Sequence, residues 1–185
     1  MRIRAAEERD AVALAHVLVT TYRIAHRDQL PPDYAYLSPE QSAHNWARTL
    51  RALRGERGER ERVFAAEDEE GEIVGVAMAG PLRGERVAGA LADLYVLYVL
   101  TERQRRGIGR RMLAEVARWA GERGYRALQV RVLGVNAPAR RFYEASGARY
   151  VGDESRHEGA LTLAMAVYEW DDLAALGAGE GAGEG

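Results

Sequence analysis

Apolar residues recur along this chain with two alternating periods, and the alternation lays out a mixed α/β domain. A short strand begins at residues 2–4. Residues 7–25 carry Val12, Ala15, Leu18 and Val19 at helical spacing. A Pro- and Tyr-rich loop follows over 26–37, and Ser38 with Pro39 and Gln41 reads as a helix cap and capping box. That helix is expected to reach about residue 54, with the charged stretch 54–62 as a solvated connection. Residues 63–67 and 73–79 read as a hairpin, and 81–90 as a Gly-rich loop. Strand 91–99, helix 107–122, strand 127–133 and helix 137–146 then form a βαβα run, which predicts one parallel pair of central strands. Residues 94–100 are apolar on both faces, as a strand covered on both sides would be. Residues 149–153 and 160–167 close the sheet as a hairpin. Residues 1–172 are expected to form one domain, and 173–185 a flexible Gly/Ala/Glu tail.

Between strand 91–99 and the helix that follows it stands Gln104-Arg-Arg-Gly107-Ile-Gly109-Arg110. The first turn of a helix has N–H groups without intrahelical partners, and the helix dipole adds partial positive charge there. Such a turn suits an anion, phosphate above all. Glycines at 107 and 109 keep side chains away from the backbone, and Arg103, Arg105, Arg106, Arg110 and Arg111 add formal charge. An ordinary strand-to-helix turn would use glycine similarly, so the pattern alone is weak.

The order strand, Gln104-x-x-Gly107-x-Gly109, helix resembles motif A of the GNAT superfamily, the acetyl-CoA-dependent N-acetyltransferases. A second region, Asn136-x-x-Ala139-x-x-x-Tyr143-x-x-x-Gly147, is similar to the family's other cofactor segment, departing from it at Ala148, where Phe is usual. The resemblance covers roughly residues 62–170. It implies the GNAT fold: a mixed, mostly antiparallel sheet with a central splayed parallel pair and flanking helices. It implies that acetyl-CoA lies against the 104–110 turn through Gln104, Arg105, Arg106, Gly107, Ile108, Gly109 and Arg110. The backbone of Leu97, Tyr98 and Val99 would hold the pantetheine arm, with the Val99 N–H on the thioester carbonyl. Asn136 would bind the same arm, and it also suits a helix cap.

For the chemistry, the resemblance makes Tyr143 the hydrogen-bond donor to the leaving thiolate. A phenol has a reference pKa near 10 and a thiol one near 8.5, so the phenol can donate without losing its proton. The alternative for Tyr143 is core packing. Asp93, a lone acid in an apolar strand, matches the glutamate base of the histone-acetylating branch; the alternative is a strand-entry residue or a salt bridge to a nearby Arg. In the branch that acetylates ribosomal-protein alanines the base lies on the next strand, where this chain has Arg131, so that route to a base is not expected here. A lysine-like amine costs roughly 4–5 kcal/mol to deprotonate at pH 7 and a peptide α-amine about 1 kcal/mol, so the need for a base depends on the acceptor. Tyr22, Tyr34, Tyr36, Trp46 and His157 are candidates to line the acceptor side.

Composition narrows the chemistry further. The 185 residues are 47% hydrophobic and 29% charged with net charge −2, a balance that does not suggest nucleic acid or an acidic membrane as partner. The absence of Cys removes thiol nucleophiles and cysteine metal sites, and the four His show no metal-like spacing, so no metal is expected. The absence of Lys removes a P-loop lysine and a Schiff-base lysine. No span long enough for a bilayer and no leader is read, so a cytoplasmic location is expected. A homodimer is left open. The sequence expectation is therefore an N-acetyltransferase that moves acetyl from acetyl-CoA to a primary amine in a ternary complex. The alternatives are an acyl-CoA-binding module without turnover and a peptide or protein N-terminal acetyltransferase. A Rossmann-type nucleotide site is discounted because the glycine motif lies mid-chain with no acid near residues 124–131.

Overall fold

The computed structural model describes residues 1–25, 38–82, 91–158 and 161–177. The expected loop at 26–37, most of the 81–90 loop, the second hairpin's turn and the end of the tail lie outside these residues. Among the described residues the strands are β1 (Arg2–Ala5), β2 (Arg62–Glu67), β3 (Ile73–Pro81), β4 (Leu91–Val99), β5 (Ala127–Leu133), β6 (Arg149–Glu158) and β7 (Leu161–Trp170). The helices are α1 (Ala11–Ala25), α2 (Pro39–Ala52), α3 (Arg57–Arg60), α4 (Ile108–Glu122), α5 (Ala137–Ala145) and α6 (Leu173–Gly177). Hydrogen-bonded neighbours in the seven-stranded sheet run β1-β2-β3-β4-β5-β7-β6. The expected mixed fold is present, with β4 and β5 as its parallel pair. Their register runs from Leu91↔Ala127 to Leu94↔Val130, beyond which β4 continues to Val99 and β5 to Leu133.

Two compact units share the chain: Met1–Ala79 with Val96–Val116, and Gly80–Tyr95 with Ala117–Gly185. In the first, α1 buries Ala11, Leu14, Ala15, Val17, Leu18 and Val19. Val12, expected in that stripe, is instead 72% exposed. Ala11, Leu14, Ala15 and Leu18 follow the i, i+3, i+4, i+7 positions, and Val12, seven residues before the buried Val19, lies at the edge of that face in the first turn of the helix. Ser38 caps α2 by accepting from the Gln41 amide at 3.2 Å. The reciprocal half of the capping box is replaced, because the Gln41 side chain donates to Asn45 Oδ1 at 3.3 Å. The charged connection contains the single turn of α3. β3 and α4 approach closely at Gly75, where a Cβ would lie 2.8 Å from Met112 Sδ and 3.3 Å from the Tyr98 carbonyl oxygen.

In the second unit β6 and β7 are longer than the sequence pattern indicated, reaching Glu158 and Trp170. Gly147, at φ +86°, ends α5, and the Ala148 amide donates to the Tyr143 carbonyl at 3.0 Å. Residues Leu173–Gly177, the first part of the expected tail, are helical with Leu173 buried.

Candidate functional site

In the first unit the end of β4 and the start of α4 form one built turn. Gln104 donates its side-chain Nε2–H to the Val99 carbonyl at 2.9 Å, tying the turn back to the strand. Arg105 has φ +62° and Gly107 φ +79°. Alternation of left- and right-handed residues turns successive amides to one side and forms an anion-binding concavity. The Arg111 amide donates to the Gly107 carbonyl at 3.0 Å, so the amides of residues 108–110 stand ahead of the helical ladder. Ile108 is buried and anchors α4, while Gln104, Arg105, Arg106, Gly107 and Arg110 are exposed. A Cβ on Gly107 would meet nothing within 4 Å. Glycine is therefore required there by its φ rather than by space.

The arginines of this turn do different things. Arg103 is drawn to the β2–β3 hairpin, 3.2 Å from Asp68 Oδ2 and 3.8 Å from Glu70. Arg111 donates to the Met1 carbonyl at 3.3 Å. Arg105, Arg106 and Arg110 are exposed positive charges at the turn itself.

Residues 95–98 of β4 are half-buried, so the strand is less covered than its two-faced apolar pattern implied. The Leu100 amide donates to the Val74 carbonyl of β3 at 2.9 Å, and the Tyr98 carbonyl lies against Gly75. Backbone groups alternate along a strand, so those of Leu97 and Val99 face the other edge. The Tyr98 ring meets Tyr22 edge-to-face at 6.1 Å. Of the other acceptor-side candidates in this unit, Trp46 is buried in the core, and Tyr34 and Tyr36 lie outside the described residues.

In the second unit Asn136 caps α5, its Oδ1 accepting from the Ala139 amide at 3.1 Å. Tyr143 is buried, with Phe142, Trp170 and Tyr168 around it at 5.3, 5.7 and 6.3 Å between ring centroids. Burial pushes its phenol well above the ordinary tyrosine value, so it keeps its proton.

Asp93 is buried at 4% exposure and forms an ion pair with Arg131, 2.8 Å from Oδ2 to Nη1. The same guanidinium donates its Nε–H to Glu154 at 2.8 Å. The buried Gln129, with its amide oxygen turned to Arg131, accepts at 2.8 and 3.1 Å and donates to Glu169 at 3.0 Å. Burial alone would lower the Arg131 pKa; the Glu154 hydrogen bond and the Asp93 and Glu154 charges carry it above its ordinary value instead. The salt bridge weighed for Asp93 from sequence thus exists, and its partner is the strand neighbour Arg131. That pairing needed the β4–β5 register, which local spacing does not contain. The exposed His157 meets Thr162 Oγ1 through Nδ1 at 3.1 Å.

Residues 19–148 match the family model for the acetyltransferase (GNAT) family. YuaI, an uncharacterized N-acetyltransferase of Bacillus subtilis (strain 168), is 33% identical over 94% of this chain and 95% of its own length. Among solved structures, the ribosomal-protein-alanine N-acetyltransferase of Brucella melitensis is similar at TM-score 0.68 and 25% identity, over 92% of this chain and 99% of that one. The PaiA N-acetyltransferase of Thermoplasma acidophilum, solved with coenzyme A, shares the fold at TM-score 0.69 and 16% identity, over 92% and 98%. The chain belongs to the acetyltransferase (GNAT) family.

Proposed function

We propose that the protein transfers acetyl from acetyl-CoA directly to a primary amine. The amine nitrogen attacks the thioester carbonyl carbon, the C–S bond breaks, the nitrogen gives up a proton, and coenzyme A leaves as thiol. The Arg105–Arg110 turn, with its preformed amide concavity, binds the pyrophosphate. The backbone of Leu97 and Val99 and the side chain of Asn136 hold the pantetheine arm, and the Val99 N–H polarises the carbonyl. Tyr143 hydrogen-bonds the departing thiolate. The observation that carries this reading is the turn: a left-handed Arg105 and Gly107 joined to a strand end by Gln104, in a chain of this family. The presence of a buried phenol in the second motif favours turnover over simple acyl-CoA binding.

One observation favours a particular acceptor. Asp93 Oδ2 is engaged by Arg131 Nη1 at 2.8 Å, so this oxygen is held by the guanidinium rather than left open to an incoming amine. Asp93 therefore serves better to order Arg131 than to deprotonate a lysine-like amine. A peptide α-amine, near pKa 7.7–8.0, needs about 1 kcal/mol and no strong base. The 25% identity to a ribosomal-protein-alanine N-acetyltransferase points the same way.

Tyr143→Phe tests the proposed chemistry. Acetyl-CoA affinity should stay near wild type while turnover falls by about 10²-fold. Turnover equal to wild type from pH 6 to 9 would leave Tyr143 as a packing residue.

A further inference from the structure

Resting on the reading of Tyr143 as the thiolate's hydrogen-bond donor, we propose that Arg140 is a positioning residue that fixes the Tyr143 phenol through Tyr168. Arg140 lies on α5 one turn before Tyr143. Its Nη1 donates to the Gly134 carbonyl at 3.0 Å, and its Nε donates to the Tyr168 hydroxyl at 3.0 Å. That hydroxyl donates onward to Glu144 Oε1 at 2.6 Å, one helical turn after Arg140. Tyr168 is fully buried on β7, and its ring lies 6.3 Å from Tyr143 and 5.6 Å from Tyr150. The β5–α5 turn is pinned independently, since the Gly134 amide donates to Ala164 at 2.9 Å.

Two residues of α5, Arg140 and Glu144, thus grip one hydroxyl of the neighbouring strand, and the ring that carries it packs on Tyr143. The donors run in one direction, from guanidinium to hydroxyl to carboxylate, and each hydrogen has one acceptor. Arginine suits the place because its planar fork supplies two donors at a fixed angle, whereas a lysine ammonium is one point charge. Rolling or sliding of α5 on β7 would carry the Tyr143 oxygen with it, and a displacement of about 1 Å can cost on the order of 10²-fold in rate.

The experiment is a double-mutant cycle on kcat and on KM for acetyl-CoA. Tyr168→Phe keeps the ring and the Gly134 contact but removes the hydroxyl. Arg140→Gln removes both grips. Each should lower kcat by about tenfold in the wild-type background, and by less than about twofold in the Tyr143→Phe background, because the lost positioning has no phenol left to act on. In Tyr168→Phe, KM for acetyl-CoA should change by less than about twofold, since the Gly134 hold remains. If Arg140→Gln does not fold, Tyr168→Phe decides alone. An equal fold-loss in both backgrounds would mean a general structural role and would overturn the proposal, as would no loss in the wild-type background. Wild-type turnover in Tyr143→Phe alone would overturn the reading of Tyr143 and, with it, this proposal; that result is seen before either second substitution is made.

Discussion

At Gly107 open space and a disallowed backbone coincide, so two substitutions separate them. An alanine would meet no neighbour, yet the φ of +79° costs an L-residue roughly 1–2 kcal/mol. Gly107→Ala should therefore weaken acetyl-CoA binding by about tenfold as the turn relaxes toward negative φ, and Gly107→Asn, which tolerates the left-handed region, should recover most of it. Titration calorimetry showing equal affinity for glycine, alanine and asparagine would remove this turn from the cofactor site. Asp93 gives the second residue-scale test. Asp93→Asn should cost about 1–3 kcal/mol of stability, less than a fully buried pair, because Glu154 and Gln129 still hold Arg131. Its rate should fall without change in the shape of the pH profile. If Asp93 were the base, the acidic limb would vanish and high pH would restore activity in part. The sequence could name Asp93 and its two roles, but only the cross-strand register shows which arginine it meets. Arg103 illustrates the same limit, since its motif suggests phosphate while the fold pairs it with Asp68.

Among the elements, α4 and β3 bear most directly on the turn proposed to bind the cofactor. The missing Cβ of Gly75 lets Met112, four residues after Ile108, pack against β3. Gly75→Ala should destabilise the protein by about 1–3 kcal/mol through overpacking and displace the start of α4. Adding Met112→Ala should relieve part of that strain, so the double variant should lose less than the sum of the two single changes in urea unfolding. Strict additivity would contradict the close approach. Elements with a strong period were legible: β4 and β5 have the bounds their apolar runs predicted, and α5 falls within one residue of its expected end. Periodicity says less about which face of a helix is covered, as Val12 shows, because a stripe can be drawn through several positions until the partner is known. β6 and β7 outran their apolar patterns because an antiparallel ladder continues through polar residues such as Arg156 and Glu169 once register is set.

At the scale of the molecule, the seven-stranded mixed sheet is the fold that the resemblance implied, and a relative matches along nearly the whole chain. No helix among the described residues is long and apolar enough to cross a membrane. Acceptor identity was least legible, because it depends on side chains outside the motifs, and two of the candidates named for it, Tyr34 and Tyr36, lie beyond the described residues. The central claim is acetyl transfer to an amine, and free-thiol release measures it directly. With acetyl-CoA and a panel of α-amino peptides, polyamines and aminoglycosides, thiol should appear only when an amine is present, in one-to-one ratio with acetylated amine and fastest with an α-amine. Tight acetyl-CoA binding with no amine-dependent thiol across the panel would contradict the account and leave an acyl-CoA-binding module in its place.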